Sequence, residues 1–180
     1  MAFEIIDKGT FDGSTAALSL TSIPGTYKHL EWSFTGCTNA PSMNAASIAL
    51  KVNSDTASNY GYVGWYRSGA SSGQSGTNSS TAPIPLGYTG GGNSSANQAS
   101  TARMWIPNYA DTTFKKNFMM QSGCGDIVYP YSGGWGNLWF ERYECGLWRN
   151  TAAITQLDFD FQGGGNVDAG SAYILAGWTS

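Results

Sequence analysis

Short segments in which apolar and polar residues alternate recur along this chain, and no segment has the 3.6-residue period of an amphipathic helix. The clearest alternation is Leu30, Trp32 and Phe34, which are separated by Glu31 and Ser33. Side chains of a strand point alternately to its two faces, so this pattern predicts a strand with one buried face and one solvated face. The alternation therefore favours an all-β fold.

Comparable strand patterns follow along the chain, at residues 47–52, 59–66, 104–106, 114–121, 138–148, 154–161 and 172–178. In residues 154–161 we expect Leu157, Phe159 and Phe161 to face a core, while Asp158 and Asp160 face solvent. Seven to nine short strands with turns between them are typical of a sandwich or barrel. We predict a single-domain, jelly-roll-like β-sandwich that spans residues 1–180.

A Gly/Ser-rich stretch interrupts these patterns between Ser68 and Ser100, broken only by the Pro83–Leu86 island. Such a composition is also found in interdomain linkers. Neither flank looks large enough to form a core alone, however, so we interpret residues 67–101 as a long loop excursion from one domain. Loops of this length are uncommon unless they are functional. We therefore expect contacts with partners here.

The charge balance narrows the classes of partner. The chain has 12 acidic and 9 basic residues, a net charge of −3, and only 12% charged residues. Nucleic-acid binding is not expected, because neutralising phosphates requires a surplus of Lys and Arg. No apolar run reaches the length of about 20 residues that spans a membrane. Residues 1–7 lack the pattern of a signal peptide, so we expect synthesis in a cytoplasm.

Residues with catalytic or metal-binding chemistry are few and scattered. We expect Cys37, Cys124 and Cys145 to be buried or half-buried free thiols, since they are widely spaced and odd in number, with one disulfide as the alternative. The one histidine, His29, lies on the polar face of its strand and is expected to be structural, so a zinc site is not expected. Asp158 and Asp160 are expected to be solvated rather than to bind calcium.

Two further patterns suggest catalysis only weakly. Glu141 and Glu144 would point to opposite faces of a strand. This arrangement suits neither the retaining nor the inverting geometry of glycosidases, in which two carboxyl groups flank the same bond. Gly69–Gly73 matches the G-x-S-x-G motif, but no helical pattern follows it, as a nucleophile elbow requires. We predict no catalytic residue, no cofactor and no metal ligand, and hence a protein that is not an enzyme.

Aromatic residues make up 14% of the chain and leave two interpretations open. Large rings with a polar edge suit both sugar stacking and protein interfaces. The rings concerned are Trp65, Tyr66, Tyr129, Tyr131, Trp135, Trp139 and Trp148. They either form stacking platforms for glycans or pack in the core and between subunits.

Three blocks of sequence carry a resemblance. The first is Leu20–Leu30, with its Ile-Pro-x-Thr-Tyr-x-His-Leu pattern, followed by Leu50–Thr56 and Asn59-Tyr60. The second is Ile106–Lys116, and the third is Ala152–Thr155 followed by Ala169–Trp178. In this order and spacing they resemble a family of small virion proteins of tailed bacteriophages, and the likeness covers most of the chain outside residues 67–101.

The resemblance implies a jelly-roll sandwich in which the Ile23–Leu30 block is structural, a proline-containing turn that leads into a core strand. It implies a virion structural protein, made in the host bacterial cytoplasm, that binds the phage major capsid protein or other virion proteins. Within that role we expect a capsid cement or decoration protein that stabilises the head lattice, with a tail or fibre component as the alternative. Closed cyclic assembly is common in such modules, and we expect a homotrimer. A carbohydrate-binding module for host surface glycans is the second class of function.

Overall fold

Twelve β-strands, and no helix, are formed by the residues that the computed structural model describes, which are 2–41, 45–68, 71–75, 83–92, 98–131 and 134–179. For residues 68, 71, 72, 74, 75, 86, 125–131 and 134–139 the structure describes the backbone alone. In chain order the strands are β1 (Phe3–Thr10), β2 (Ala17–Leu20), β3 (His29–Gly36), β4 (Ala45–Val52), β5 (Tyr60–Ser68), β6 (Ser71–Ser75), β7 (Ile84–Gly90), β8 (Ser100–Pro107), β9 (Lys116–Tyr131), β10 (Gly134–Trp148), β11 (Leu157–Phe161) and β12 (Ala172–Trp178).

The strands form two antiparallel sheets that pack face to face as a sandwich. The large sheet has eight strands in the order β1-β12-β3-β8-β9-β10-β5-β6, and the small sheet has four in the order β2-β11-β4-β7. The predicted all-β, jelly-roll-like sandwich is confirmed.

The roll is visible in how the strand pairs nest. The pairs β5·β6, β4·β7, β3·β8, β2·β11 and β1·β12 enclose one another along the chain. Successive pairs alternate between the large and the small sheet, as when one long hairpin is rolled up. The β9–β10 hairpin is inserted between β8 and β5, and this insertion widens the large sheet.

The core lies between the inner faces of the sheets, where the alternating apolar residues meet. Leu30, Trp32 and Phe34 of β3 are all buried, as their alternation predicts. The Trp32 ring stacks on Phe159 of the small sheet with 4.0 Å between ring centroids. Leu157 and Phe161 flank Phe159 in the same core, so the predicted orientation of β11 is confirmed.

Two expectations about the strands are corrected. The described residues contain twelve strands rather than seven to nine, and β9 and β10 are long, at 16 and 15 residues. The Gly/Ser-rich segment 67–101 is not one loop, because its described residues supply β6 to the large sheet and β7 to the small sheet. Backbone pairing, which a Ser-rich strand makes as well as an apolar one, explains why the side-chain pattern missed β6.

The sequence blocks that carry the resemblance contact one another in this fold. The Tyr109 hydroxyl donates a hydrogen bond to the carbonyl of Pro24, and the backbone N–H of Ile154 donates to the carbonyl of Tyr109 at 3.0 Å. The Asn53 side chain bridges to the third block, since its amide donates to Ala153 at 2.8 Å and its carbonyl accepts from the Thr155 N–H at 2.9 Å. These residues thus join loops that are distant in sequence.

Candidate functional site

The outer face of the large sheet is built from residues that alternate with the core residues of each strand. On β8, for example, Met104 and Ile106 face the core, so Arg103 and Trp105 face outward. The strand register then places outward residues of neighbouring strands side by side. One row runs Ile5, Ala176, Glu31, Trp105, Met119, Cys145 and Val63, and the next runs Ile174, Ser33, Arg103, Gln121, Tyr143 and Trp65.

Exposed apolar side chains are concentrated on this face. Among the described residues, eight large hydrophobic side chains are exposed, and all of them except Phe114 lie here, including Phe3 at 61%, Val63 at 55% and Met119 at 50%. With their neighbours they form a surface that we name the apolar belt. Its members are Phe3, Ile5, Val63, Trp65, Trp105, Met119, Tyr143, Cys145, Ile174 and Trp178.

Aromatic contacts make one half of the belt continuous. The Phe3 ring lies 5.3 Å from the Trp178 ring, and Trp178 lies 5.9 Å from Trp105, edge to face. His29 lies 5.0 Å from Trp105 on the other side. The belt crosses seven adjacent strands from β1 to β5, and at a strand spacing of about 4.8 Å it is about 29 Å long.

A groove of about 670 Å³ lies in the other half, lined by Val63, Trp65, Trp105, Met119, Tyr143 and Cys145 together with Arg103 and Gln121. Polar contacts hold the groove wall in place. The Tyr143 hydroxyl donates to Glu141 and accepts from the Gln121 amide at 3.1 Å. The hydrogen bond to Glu141 raises the pKa of Tyr143.

Opposite charges are paired on the same face. Arg103 donates two hydrogen bonds to the Glu31 carboxylate, at 2.7 and 2.8 Å, in the bidentate geometry that arginine favours. Arg67 lies directly opposite Glu141 in the pairing of β5 with β10. The belt is thus an apolar surface flanked by charge-balanced polar groups, which is the general pattern of protein interfaces.

The outer face of the small sheet is different in kind. Asp158 there accepts hydrogen bonds from the Ser19 hydroxyl at 2.6 Å, from Gln156 at 2.7 Å and from Ser54 at 3.2 Å. Together these hydrogen bonds outweigh the effect of burial and lower the pKa of Asp158. Asp158 and Asp160 therefore lie on the polar outer face of the small sheet, away from the core, as predicted.

The aromatic residues proposed for stacking do not lie together on one surface. Trp65 is exposed and lies in the belt, whereas Trp148 is 1% exposed and belongs to the core. Tyr66 stacks at 6.1 Å on Phe140, on the opposite side of β5 from Trp65. The side chains of Tyr129, Tyr131, Trp135 and Trp139 lie outside those that the structure describes.

Sequence reasoning missed Trp105, Met119 and Tyr143 as surface residues. For Trp105 the signal was present, because Met104 and Ile106 flank it in an alternating strand and only one face can be buried. For Tyr143 it was misleading, since its neighbours Arg142 and Glu144 are charged and yet are buried, at 5% and 3% exposure. They form an ion pair with each other inside the sandwich, and Tyr143 is thereby turned outward.

The cysteines are free thiols, as predicted, but their burial is not uniform. Burial, together with a hydrogen bond from the thiol to Asp168, raises the pKa of Cys37 to about 12, and burial raises that of Cys124 to about 11. Cys145 is exposed, so the prediction that all three are buried or half-buried is wrong for it. The cause is again the alternation of β10, which places Cys145 on the belt beside Met119 and Val63.

The remaining candidates are placed as follows. His29 accepts a hydrogen bond from the backbone N–H of Asn108 at 3.3 Å, and burial together with Lys28 lowers its pKa, which is consistent with a structural role. Glu141 and Glu144 point to opposite faces of β10. In the G-x-S-x-G match, residues 69 and 70 and the serine side chains lie outside what the structure describes.

Within the described parts of the chain, no group of three His, Cys, Asp or Glu residues is arranged to hold a metal ion. No helix there is long and apolar enough to cross a membrane. The feature best suited to binding another molecule is the apolar belt, which offers rings and aliphatic groups for contact with another apolar surface. Comparison of the chain with protein-family models and with curated proteins finds no match to either.

Proposed function

We propose that this protein is a non-enzymatic structural subunit of a bacteriophage virion, and that it assembles with its neighbours through the apolar belt. The observation that carries the proposal is the concentration of exposed hydrophobic side chains on one sheet face. Monomeric soluble proteins rarely expose contiguous apolar surface of this extent, and such surface marks interaction sites. The resemblance of the Leu20–Leu30, Ile106–Lys116 and Ala169–Trp178 blocks to virion proteins supplies the kind of assembly.

Within the virion we propose a capsid cement or decoration role, with the major capsid protein as partner, and a tail or fibre position as the alternative. A capsid presents the same site many times, so weak contacts by many linked subunits add up to strong attachment. The Gly/Ser-rich segment 67–101 is the proposed contact with the underlying capsid, because its sequence is rich in small polar residues. The protein is then located in the virion.

The number of copies per purified particle tests this proposal. We expect the protein to be present, and quantitative mass spectrometry against the major capsid protein distinguishes the positions. A copy number comparable with that of the capsid protein supports decoration of the lattice. A few copies per particle support the tail or fibre position. Absence of the protein from purified particles would contradict a virion role altogether.

A second candidate function is the recognition of host surface glycans. The observation that favours it is the position of Trp65 and Tyr143 beside Arg103, Gln121 and Glu141, because sugars bind to rings flanked by hydrogen-bonding groups. Titration with host surface polysaccharide should then change tryptophan fluorescence. The variant Trp65→Ala should abolish the change and Phe114→Ala, which removes an exposed ring outside the belt, should not. An unchanged signal at saturating polysaccharide would exclude this function.

A further inference from the structure

We propose that the partner of the apolar belt is a second copy of this chain, packed belt to belt about a twofold axis. The inference rests on the proposed function, in that it takes the protein to be an assembling subunit and names the partner of that surface. It differs from the homotrimer expected from the sequence, and three features of the described residues support it.

The first feature is the area of the belt. A large side chain that is about half exposed contributes on the order of 100 Å² of surface. The seven exposed large hydrophobic side chains of the belt therefore offer roughly 700 Å², and the flanking polar groups add to it. A stable protein–protein interface of standard size buries about 800 Å² on each partner. The belt with its flanking polar groups is thus large enough for a dimer interface of standard size.

The second feature is the balance of charge. Each copy carries a net charge of −3, so two copies repel each other unless the contact surface itself is balanced. On the belt face, Arg103 is paired with Glu31, Arg67 lies opposite Glu141, and Lys8 lies opposite Ile174 at the edge of the sheet. Two such faces approach without a cluster of like charges between them. The described part of this face therefore carries no concentration of charge that would attract a strongly basic or acidic partner.

The third feature decides between twofold and other symmetries. A twofold contact uses the same patch on both copies, whereas a cyclic trimer needs two different, complementary patches. Outside the belt, the described residues offer only Phe114 as an exposed large hydrophobic side chain. Among the side chains that the structure describes, a contact between two belts is therefore the one that brings the most exposed apolar surface together.

The geometry favours contact between faces over contact between sheet edges. Strand β1 is an edge of the large sheet, and it carries a bulge between Ile5 and Asp7 followed by Lys8. Bulges and lysines at edges oppose the addition of further strands. Two sheets stacked face to face bury the apolar residues of both, as in the interior of a sandwich. We therefore assign the contact to the belt and not to the edge.

Light scattering of the purified full-length protein over roughly 1–100 µM tests the inference, since this range includes the Kd of modest interfaces. We expect a mass twice the 19.1 kDa of one chain. Met119→Lys and Val63→Lys place an ammonium group in the belt and should each weaken the dimer at least 10-fold, by about 1.4 kcal/mol. Phe114→Lys is the matched control, because it makes the same change at an exposed apolar residue outside the belt, and it should remain dimeric.

Circular dichroism spectra like that of the wild type, together with a cooperative urea transition, establish that each belt variant is folded; its midpoint is expected below that of the wild type, because dimerisation stabilises the folded state. Two belt positions are used so that one variant remains informative if the other fails to fold. A wild-type monomer at the highest concentration, a mass three times that of the chain, or belt variants that dimerise as tightly as the control would each overturn the inference. Monomeric protein that is nevertheless found in purified virions would overturn it while the proposed function stands, and would assign the belt to a different virion protein.

Discussion

Lys116 shows how a single buried charge organises the loops of this fold. Its side chain is 1% exposed, and its ammonium group donates hydrogen bonds to the carbonyls of Phe114 at 2.7 Å, Thr151 at 3.0 Å and Asp111. Burial lowers the pKa of Lys116, but three carbonyl acceptors compensate for the lost water. Lysine is rarely buried without such partners, so the sequence offered no reason to expect it here.

Replacing Lys116 by Met keeps the length of the side chain and removes its three donors. The three carbonyls then lose their partner in a place that water reaches poorly, and we expect a loss of roughly 3 kcal/mol in the free energy of unfolding. Urea denaturation measures it. Lys115→Met is the control, since Lys115 is exposed. Equal stability of the two variants would show that the Lys116 hydrogen bonds do not stabilise the fold.

Asp55 plays the equivalent role for the turn between β4 and β5. It accepts hydrogen bonds from Asn59 at 3.0 Å, from the Trp148 indole at 2.8 Å and from the Ala57 N–H at 2.9 Å. The hydrogen bonds from Asn59 and Trp148 lower the pKa of Asp55. Because the charged form is favoured in the folded state, its contribution is present above pH 4 and is lost as the pH falls through the lowered folded-state pKa.

Asp55→Asn should accordingly destabilise the protein most at neutral pH, by about 1–2 kcal/mol, since the amide must turn a donor toward at least one of the three groups that donate to Asp55. The difference from the wild type should shrink as the pH falls below 4, because the unfolded chain takes up the proton there before the folded protein does. Chemical denaturation at pH 7 and at pH 3 measures both. A difference that is constant across this range would contradict a role for the ionised carboxylate.

At the scale of elements, strand β12 shows what the closing residues of the third sequence block do. The Tyr27 ring lies over Gly177, so close that a Cβ atom on Gly177 would stand 2.3 Å from the ring. Gly177 thus allows the loop that precedes β3 to cover β12, and the first and third blocks contact each other there. The alternation predicted the existence of β12 but not this contact, because register and loop packing depend on residues far apart in sequence.

Gly177→Ala should therefore displace the Tyr27 ring and lower the free energy of unfolding by about 2 kcal/mol. Gly123→Ala is the matched control in the same sheet, since a Cβ there meets nothing nearer than the Phe140 carbonyl at 3.6 Å. Thermal denaturation of both variants distinguishes them. Similar midpoints would mean that the loop adjusts to a methyl group at no cost.

For the whole molecule, the fold class followed from the alternation of apolar residues, while the unequal sizes of the two sheets did not. The eight-stranded sheet results from insertion of the β9–β10 hairpin between β8 and β5. Alternation within a strand does not show which other strand it pairs with. The belt was equally hidden, because Arg142 and Glu144 are buried as an ion pair and Tyr143 and Cys145, which alternate with them, lie on the surface. Alternation in the sequence shows which residues share a face of a strand. A buried ion pair changes which of the two faces lies on the surface of the protein.

The proposed decoration role makes a prediction about whole particles. Virions that lack the protein should assemble, since a cement is added to an existing lattice, but should release DNA sooner when heated or transferred to low salt. The rate of DNA release, followed with an intercalating dye, measures this, and adding back the purified protein is the control. Equal DNA retention with and without the protein would count against a cement function.

Burial of the apolar belt in the assembled state is the central claim, and alkylation of Cys145 tests it most directly. Cys145 is exposed in the isolated chain, whereas burial raises the pKa of Cys37 to about 12 and that of Cys124 to about 11, so both react slowly. Maleimide labelling should therefore report on the belt. We predict that Cys145 is protected in intact particles and reacts rapidly after they are dissociated into dilute, folded protein. Equal labelling rates in the two states would contradict the account.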